Sequence, residues 1–326
     1  MQGKEASETR AAVKSNVGID VSKDWLDVHV VPCGERLRAA NTNEGLRRLK
    51  RWLKRFDIAL VVMEATGKWH RLAWRSLAAG AIPVAVIDPF KARMFAKAHD
   101  ILAKTDRLDA AMLAGFAAVM TPPVRPPPAE VLCEIGELVT ARHAAVGEET
   151  SLKNQHHSAQ TAVLRRQLTR RIARLGKDIA ELEAALMARI KADPHLARRH
   201  AILTSIPSFG TTVAVALIAG LAELGQCGDK TITALAGLAP IADQSGQRDG
   251  KRSVFAGRAQ VRRILYLAAL SASRYNSAMA EFYRRLRSAG KPPKLALVAV
   301  ARKLLLLANT LIANDRLWQK EAPKHA

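Results

Sequence analysis

The segment TPPVRPPPAE, residues 121–130, constrains this chain more than any other feature. Five prolines in ten residues rule out a helix interior or a central strand, because each removes a backbone donor and fixes φ. The segment reads as a linker, and the two sides of it differ in pattern. Before it, short Val/Ile-rich runs alternate with helical spacings; after it, the strand pattern stops.

On the N-terminal side, VGIDVSKDWLDVHVV (17–31) reads as a strand or hairpin arm. NTNEGLRRLKRWLKRF (41–56) opens like a capped helix and repeats Leu46, Leu49 and Leu53 at helical spacing. IALVVMEATG (58–67) has the continuous apolar character of a buried strand. A helix (67–80), a strand (81–89), a further helix (89–100) and the helix carrying KTDRLDAAMLAGFAAVM (104–120) follow. Strands alternating with helices predict an α/β domain with a partly parallel sheet.

Beyond the linker, Leu168, Ile172, Leu175, Ile179, Leu182, Leu186 and Ile190 form a heptad-like seam. Arg165, Arg166, Arg170, Arg171 and Arg174 crowd its N-terminal half. A solvated helical hairpin and an arm that touches nucleic acid both account for them. From about residue 200 the pattern is helical again. IPSFG (206–210) suits a turn between apolar helices, whether a phosphate-holding turn or a plain packed hairpin. The expected organisation is an α/β domain over 1–125, a helical, coiled-coil-like arm over 126–199 and a helical domain over 200–326.

Charge narrows the partner. Lys and Arg outnumber Asp and Glu by 51 to 29, the net charge is +22, and the pI is about 10.5. Such an excess calls for a polyanion, and nucleic acid is the usual one. Residues 241–303 hold 14 Lys/Arg against 3 Asp/Glu, an excess of 11 in about a fifth of the chain. Within them Arg248, Lys251, Arg252, Arg258, Arg262 and Arg263 join Arg165, Arg166, Arg170 and Arg171 as candidate nucleic-acid contacts. Cys33, Cys133 and Cys227 lie far apart with no zinc spacing and suit reduced cytoplasmic thiols. The polar start lacks a signal-peptide core, and Arg302 and Lys303 split the greasiest segment, so a soluble protein is expected.

Four acids carry the candidate chemistry. Asp20 interrupts an otherwise apolar strand, which is costly unless something pairs with it. Glu64 ends IALVVME, and open α/β sheets place their sites at strand carboxyl ends. Asp106 and Asp109, in KTDRLDA, share one helix face and repel each other. A solvated helix start explains the last pair. A shared cation explains all four, since Mg²⁺ binds carboxylate oxygen and clamps a phosphodiester. Such a set from two strands and a closing helix fits a ribonuclease-H-like arrangement. Asp24, Asp27 and Asp88 are poorer candidates: the first two lie on a polar strand edge, and Asp88 precedes a proline as a cap. GIDVSKDWLDV also looks like the first phosphate loop of actin-like ATPases and sugar kinases, but no matching later phosphate or adenine loop follows. In the C-terminal half, Ser245 precedes Gly246 in DQSGQRDGKR. By default it is a turn serine; the cations after it would suit attack on a phosphodiester.

These blocks resemble the DEDD transposases of the IS-one-ten insertion-sequence family, bridge-RNA-guided recombinases. The resemblance rests on GIDVSKDWLDV, VVMEATG and KTDRLDA, then on IPSFG, LAGLAP, the SG of DQSGQRDGKR, GRAQVRRILYLAALSA and FYRRLRSAGKPPKLALVAVARKLL, in that order over nearly the whole chain. It implies that Asp20, Glu64, Asp106 and Asp109 bind metal in a RuvC-type, ribonuclease-H-like domain. It further implies that Ser245 forms a covalent phosphoserine link to DNA. Donor and target DNA, a structured guide (bridge) RNA and a homo-oligomer, dimer or tetramer, with sites composed between subunits, are the implied partners. Ala256 departs from the pattern where a second glycine is expected. The alternatives are a Holliday-junction-type nuclease that leaves Ser245 idle, and a nucleic-acid-binding protein that kept the fold without the chemistry.

Overall fold

A computed structural model describes the backbone of residues 14–99, 106–245 and 248–319, and the side chains there except at 106–108 and 242–252. The chain divides into two compact units at Pro127/Pro128, inside the proline-dense linker.

The N-terminal unit runs β1 (Ser15–Val21), β2 (Trp25–Val31), β3 (Arg36–Ala40), α1 (Asn43–Leu53), β4 (Ile58–Glu64), α2 (His70–Ala79), β5 (Val84–Ile87), α3 (Pro89–Ala98) and α4 (Asp106–Met120). Its sheet has the order β3-β2-β1-β4-β5. β1 pairs antiparallel with β2 and parallel with β4, β2 pairs antiparallel with β3, and β4 pairs parallel with β5. The α/β expectation holds, with one addition: RLRAA, too charged to read as a strand, forms β3. β2 is therefore an interior strand, which corrects its reading as a polar edge.

Alternation sorts the side chains between two layers. Val17, Ile19, Val21, Val61 and Met63 face one way and pack with Leu46, Leu49 and Leu53 of α1 and Ala73 and Leu77 of α2. Leu60, Val62, Ala85 and Ile87 face the other way, against Ala92 of α3 and Met112, Leu113, Phe116 and Ala117 of α4. α1 is capped by Thr42, whose Oγ1 accepts the Gly45 amide at 3.2 Å. α3 is capped by Asp88, which accepts from the Phe90 amide at 2.8 Å, as its position before a proline predicts.

The C-terminal unit runs α5 (Glu130–Ser158), α6 (Ala162–Ala192), α7 (Pro194–Ser205), α8 (Thr211–Gly220), α9 (Asp229–Leu235), β6 (Ile241–Ser245), β7 (Arg248–Ser253), α10 (Ala259–Tyr275), α11 (Ser277–Ser288) and α12 (Pro293–Ala313). α5 and α6 form an antiparallel hairpin: Glu134, Arg142 and Glu148 pair with Arg189, Glu183 and Arg171 in turn, descending along α6 as α5 ascends. Leu168 is buried in a small cluster with Leu152, against which Ile172 and Leu175 pack. Leu186 and Ile190, with Ile135, belong instead to the large core that α7–α12 share. The base of the arm is therefore continuous with the helical core, and α7 crosses the boundary expected at 199/200.

α12 is long and apolar enough to cross a membrane, but it is the central helix of this core. Val300, Ala301, Leu304, Leu305 and Ala308 are all fully buried. Buried Asn309 is satisfied on both sides, accepting the Gly225 amide at 2.7 Å and donating to the Cys227 carbonyl at 3.0 Å. The glycine-dotted stretch after α9 contradicts its reading as strandless. β6 and β7 pair as an antiparallel ribbon, which DQS and RDGKRS did not suggest because neither alternates apolar and polar residues.

Candidate active site

The acids are placed by strand register. Ile19 pairs with Met63 across the parallel β1–β4 ladder, so the next position sets Asp20 beside Glu64 at the carboxyl ends of both strands. Glu64 pairs with Ile87 on β5; Asp20 pairs with Asp27 on β2, and Asp27 with Arg38 on β3. Side chains paired across a sheet share a face. Ile87, Glu64, Asp20, Asp27 and Arg38 therefore form one row across all five strands, and Ile87 fixes that face as the one α4 covers.

Gly18 brings α4 onto this row. A Cβ built at Gly18 would lie 2.0 Å from the Ala110 carbonyl oxygen and 2.3 Å from the Ala114 nitrogen. Only a residue without a side chain lets the helix backbone rest on β1 here. Asp109 immediately precedes Ala110, and Gly18 lies two positions before Asp20 on the same strand face. Asp20, Glu64 and Asp109 are all half-buried. Asp106 begins α4 one turn earlier; its side chain lies outside the described residues. Among the described residues no three His, Cys, Asp or Glu side chains gather closely enough to hold a metal ion.

Sequence reasoning set Asp27 aside, yet it lies directly across from Asp20 with only 14% of its side chain exposed. The charge in WLDVHVV on the Asp20-facing parity was the available indication. Arg38 Nε approaches Asp27 Oδ1 at 3.7 Å, and the Arg38 guanidinium lies over the Trp25 ring, 5.0 Å from its centroid. Next along, His29 pairs with Gly18 and Arg36, and Arg36 Nε donates to His29 Nδ1 at 3.2 Å. Burial first, then the Arg36 charge, holds the His29 imidazole below its usual pKa. Asp27, His29, Arg36, Arg38 and Ala110 line a recess that extends the acidic row toward the β3 edge.

Ser245 ends β6 and pairs with Arg248 at the start of β7. The side chains of Ser245, Arg248, Lys251 and Arg252 lie outside the described residues. Arg258 does not fit a surface contact. It makes a bidentate pair with Glu223, both bonds 2.6 Å, and donates to the Gly220 carbonyl at 2.8 Å. Its guanidinium ties α10 to the end of α8, a role that depends on an acid 35 positions away. Arg262 donates to the Ala256 carbonyl and Arg263 lies 2.6 Å from His143 Nε2. On the arm, Arg165 donates to the Ala159 carbonyl at 2.8 Å and Arg171 lies 3.6 Å from Glu148. Arg166 and Arg170 point to solvent.

Ala256 has φ of 59°, in the left-handed region that favours glycine. It leads into Gly257, whose built Cβ would lie 2.4 Å from the Gly237 nitrogen. This crossing ties the segment after β7 to the LAGLAP turn after α9.

Known proteins delimit the class. Residues 17–165 match the DEDD-type IS110 model described as a transposase, and residues 200–284 match the model described as "Transposase IS116/IS110/IS902 family". The chain is 26% identical over 322 residues to the pilin gene-inverting protein of Moraxella bovis, spanning 94% of this chain and 98% of that one. The same identity and coverage hold for the pilin gene-inverting protein of Moraxella lacunata. Over 150 residues it is 27% identical to an uncharacterized 43.6 kDa protein of insertion element IS110 from Streptomyces coelicolor, covering 44% of this chain and 35% of that one. The molecule is a DNA transposase or recombinase, an enzyme acting on DNA. It belongs to the IS110 family of transposases. Membership of a DEDD family implies dependence on a divalent metal.

Proposed function

We propose that the chain is an RNA-guided DNA recombinase that cleaves and rejoins donor and target DNA with a metal-binding DEDD set and a serine nucleophile. The observation that carries the acidic half is the row placing Glu64 beside Asp20 on the face where Gly18 seats α4. The strand order, with an antiparallel β1–β2–β3 meander followed by parallel β4 and β5, supports a ribonuclease-H-like, RuvC-type reading. Asp20, Glu64, Asp106 and Asp109 offer only oxygen donors, the set a hard cation such as Mg²⁺ takes. A bound divalent cation there would supply Lewis-acid stabilisation of charge on the phosphate oxygens.

The serine half assigns Ser245 Oγ to the scissile phosphorus. An Oγ–P bond forms as the phosphorus–oxygen bond to the departing deoxyribose breaks; the serine proton is lost and the departing oxygen is protonated. A DNA hydroxyl reverses the exchange, restoring Ser245 and closing a new phosphodiester. A hydroxyl needs activation for this, and the acidic set of another copy in a dimer or tetramer is its assigned source. Relatives named for inverting a pilin gene favour cleavage with rejoining over cleavage alone, since inversion requires both. Guide RNA and a cytoplasmic location complete the reading.

The test is to quench the reaction with denaturant and look for a protease-sensitive protein–DNA band. Ser245→Ala and Asp20→Ala should each remove it, as should chelation of the metal, and mixing the two variants should restore part of it in a shared-site assembly. Full recombination by Ser245→Ala would leave the metal-only nuclease reading in place.

A further inference from the structure

The recess beside the acidic row combines two guanidiniums with a buried imidazole. Its floor is β2, its outer rim is Arg36 and Arg38 of the edge strand β3, and Ala110 of α4 borders it on the inner side. At about 240 Å³ it is far larger than the roughly 10–15 Å³ that holds one water. Edge strands carry exposed cations to avoid pairing with other sheets. That accounts for charge on β3, but not for the way these two side chains are held.

Arg38 is fixed from two sides, by Asp27 Oδ1 at 3.7 Å from its Nε and by the Trp25 ring under its guanidinium. Arg36 commits its Nε to His29, which is only 8% exposed. An arginine Nε–H can only donate, so His29 Nδ1 accepts and the imidazole proton sits on Nε2. Neither that Nε2 nor the terminal nitrogens of Arg36 and Arg38 hydrogen-bond to a described residue. A buried N–H without an acceptor is costly. Water could accept the His29 proton, but two arginine forks on the same recess favour an acceptor with negative charge and several oxygens. The position suits a DNA strand. His29 lies one strand across and two residues along from Asp20, about 8 Å by sheet spacings. A phosphate held on the acidic row cannot also reach His29, whereas the next phosphate on the same strand can.

We propose that this recess holds the DNA phosphate next to the reacting one, with His29 Nε2 and the Arg36 and Arg38 guanidiniums donating to its oxygens. Asp27 and Trp25 are then positioning residues that hold Arg38 at the rim. The strand would run from the acids across β2 toward the β3 edge. The proposal rests on the reading of the acidic row as the place where DNA is cut.

The experiment uses the full chain with ring-labelled histidines, the His29 resonance being the one lost in His29→Gln. Random-sequence DNA duplex, RNA duplex and inorganic phosphate are titrated in turn, in a buffer containing Ca²⁺ so that carboxylate oxygen sites are filled. Saturating DNA duplex should shift the His29 resonance, and inorganic phosphate at the same phosphate concentration should leave it in place. In the double variant Arg36→Gln, Arg38→Gln the log–log salt slope of DNA binding should become shallower by about 1, the loss of one phosphate contact at roughly 0.9 each. Both side chains are exposed, so the variant should keep its fold. A His29 resonance unmoved by DNA, an unchanged slope, a response confined to RNA, or an equal response to free phosphate would overturn the proposal. Asp20→Ala probes the underlying reading separately. A retained protein–DNA adduct would overturn the acidic row as the cutting site, whereas loss of the adduct with an unmoved His29 would overturn the recess alone.

Discussion

Gly18 lies so close beneath Ala110 that a Cβ at position 18 would stand 2.0 Å from the Ala110 carbonyl oxygen. The neighbour is helix backbone and cannot rotate away as a side chain would. Gly18→Ala must therefore lift α4 from β1 and separate Asp109 from the strand that carries Asp20. The expected cost is at or above the roughly 1–3 kcal/mol of ordinary overpacking, read as a lower urea midpoint with an unchanged m value. Stability equal to the parent chain would show that α4 does not rest on β1 as described.

Arg258 separates a structural cation from nucleic-acid contacts. Its bidentate pair with Glu223 and its bond to the Gly220 carbonyl leave the guanidinium committed within the fold. Arg258→Gln should lower stability by at most about 1.5–3 kcal/mol, the range for a charged hydrogen bond, since the pair is partly exposed and screened, and leave the salt slope of DNA binding unchanged. A shallower slope at full stability would return Arg258 to the binding surface.

Ala256 occupies backbone that glycine adopts freely, with φ of 59°. Ala256→Gly should raise the thermal midpoint, relieving a left-handed penalty of about 1–2 kcal/mol less the entropy that glycine costs on folding. A fall in the midpoint would mean that this position does not hold the left-handed conformation.

Acid should weaken the fold through three histidines. Burial is the main reason that His29, His70 and His200 have pKa values lowered from 6.5; nearby Arg36, Arg71 and Lys191 act in the same direction. Below about pH 6.5 the unfolded chain takes up protons that the folded chain refuses, so this contribution is complete above that pH and is lost as pH falls. Urea midpoints followed from pH 7.5 to 5.5, about one unit either side, should decline, and His70→Gln should flatten the decline. A midpoint that stays level or rises on acidification would contradict neutral burial of these rings.

Local pattern determined much of this protein. The proline run marks the division between units because five prolines in ten residues exclude a helix interior or a central strand. Leu46, Leu49 and Leu53 announce α1 because helical periodicity is written into the spacing of apolar residues, and Asp88 announces a cap because its partner is two positions away. Asp20 stood out because a charge in an apolar strand is costly, Glu64 because it ends a strand, and Asp106 with Asp109 because like charges on one helix face repel. What only the tertiary structure decided depends on partners far away in the chain. β3 exists because RLRAA pairs with β2, which makes β2 an interior strand, and the β1–β2 pairing sets Asp27 beside Asp20. Arg258 is tied into the fold because Glu223 lies across from it. Burial and repulsion depend on which groups folding brings together, and residue spacing along the chain does not encode those distances.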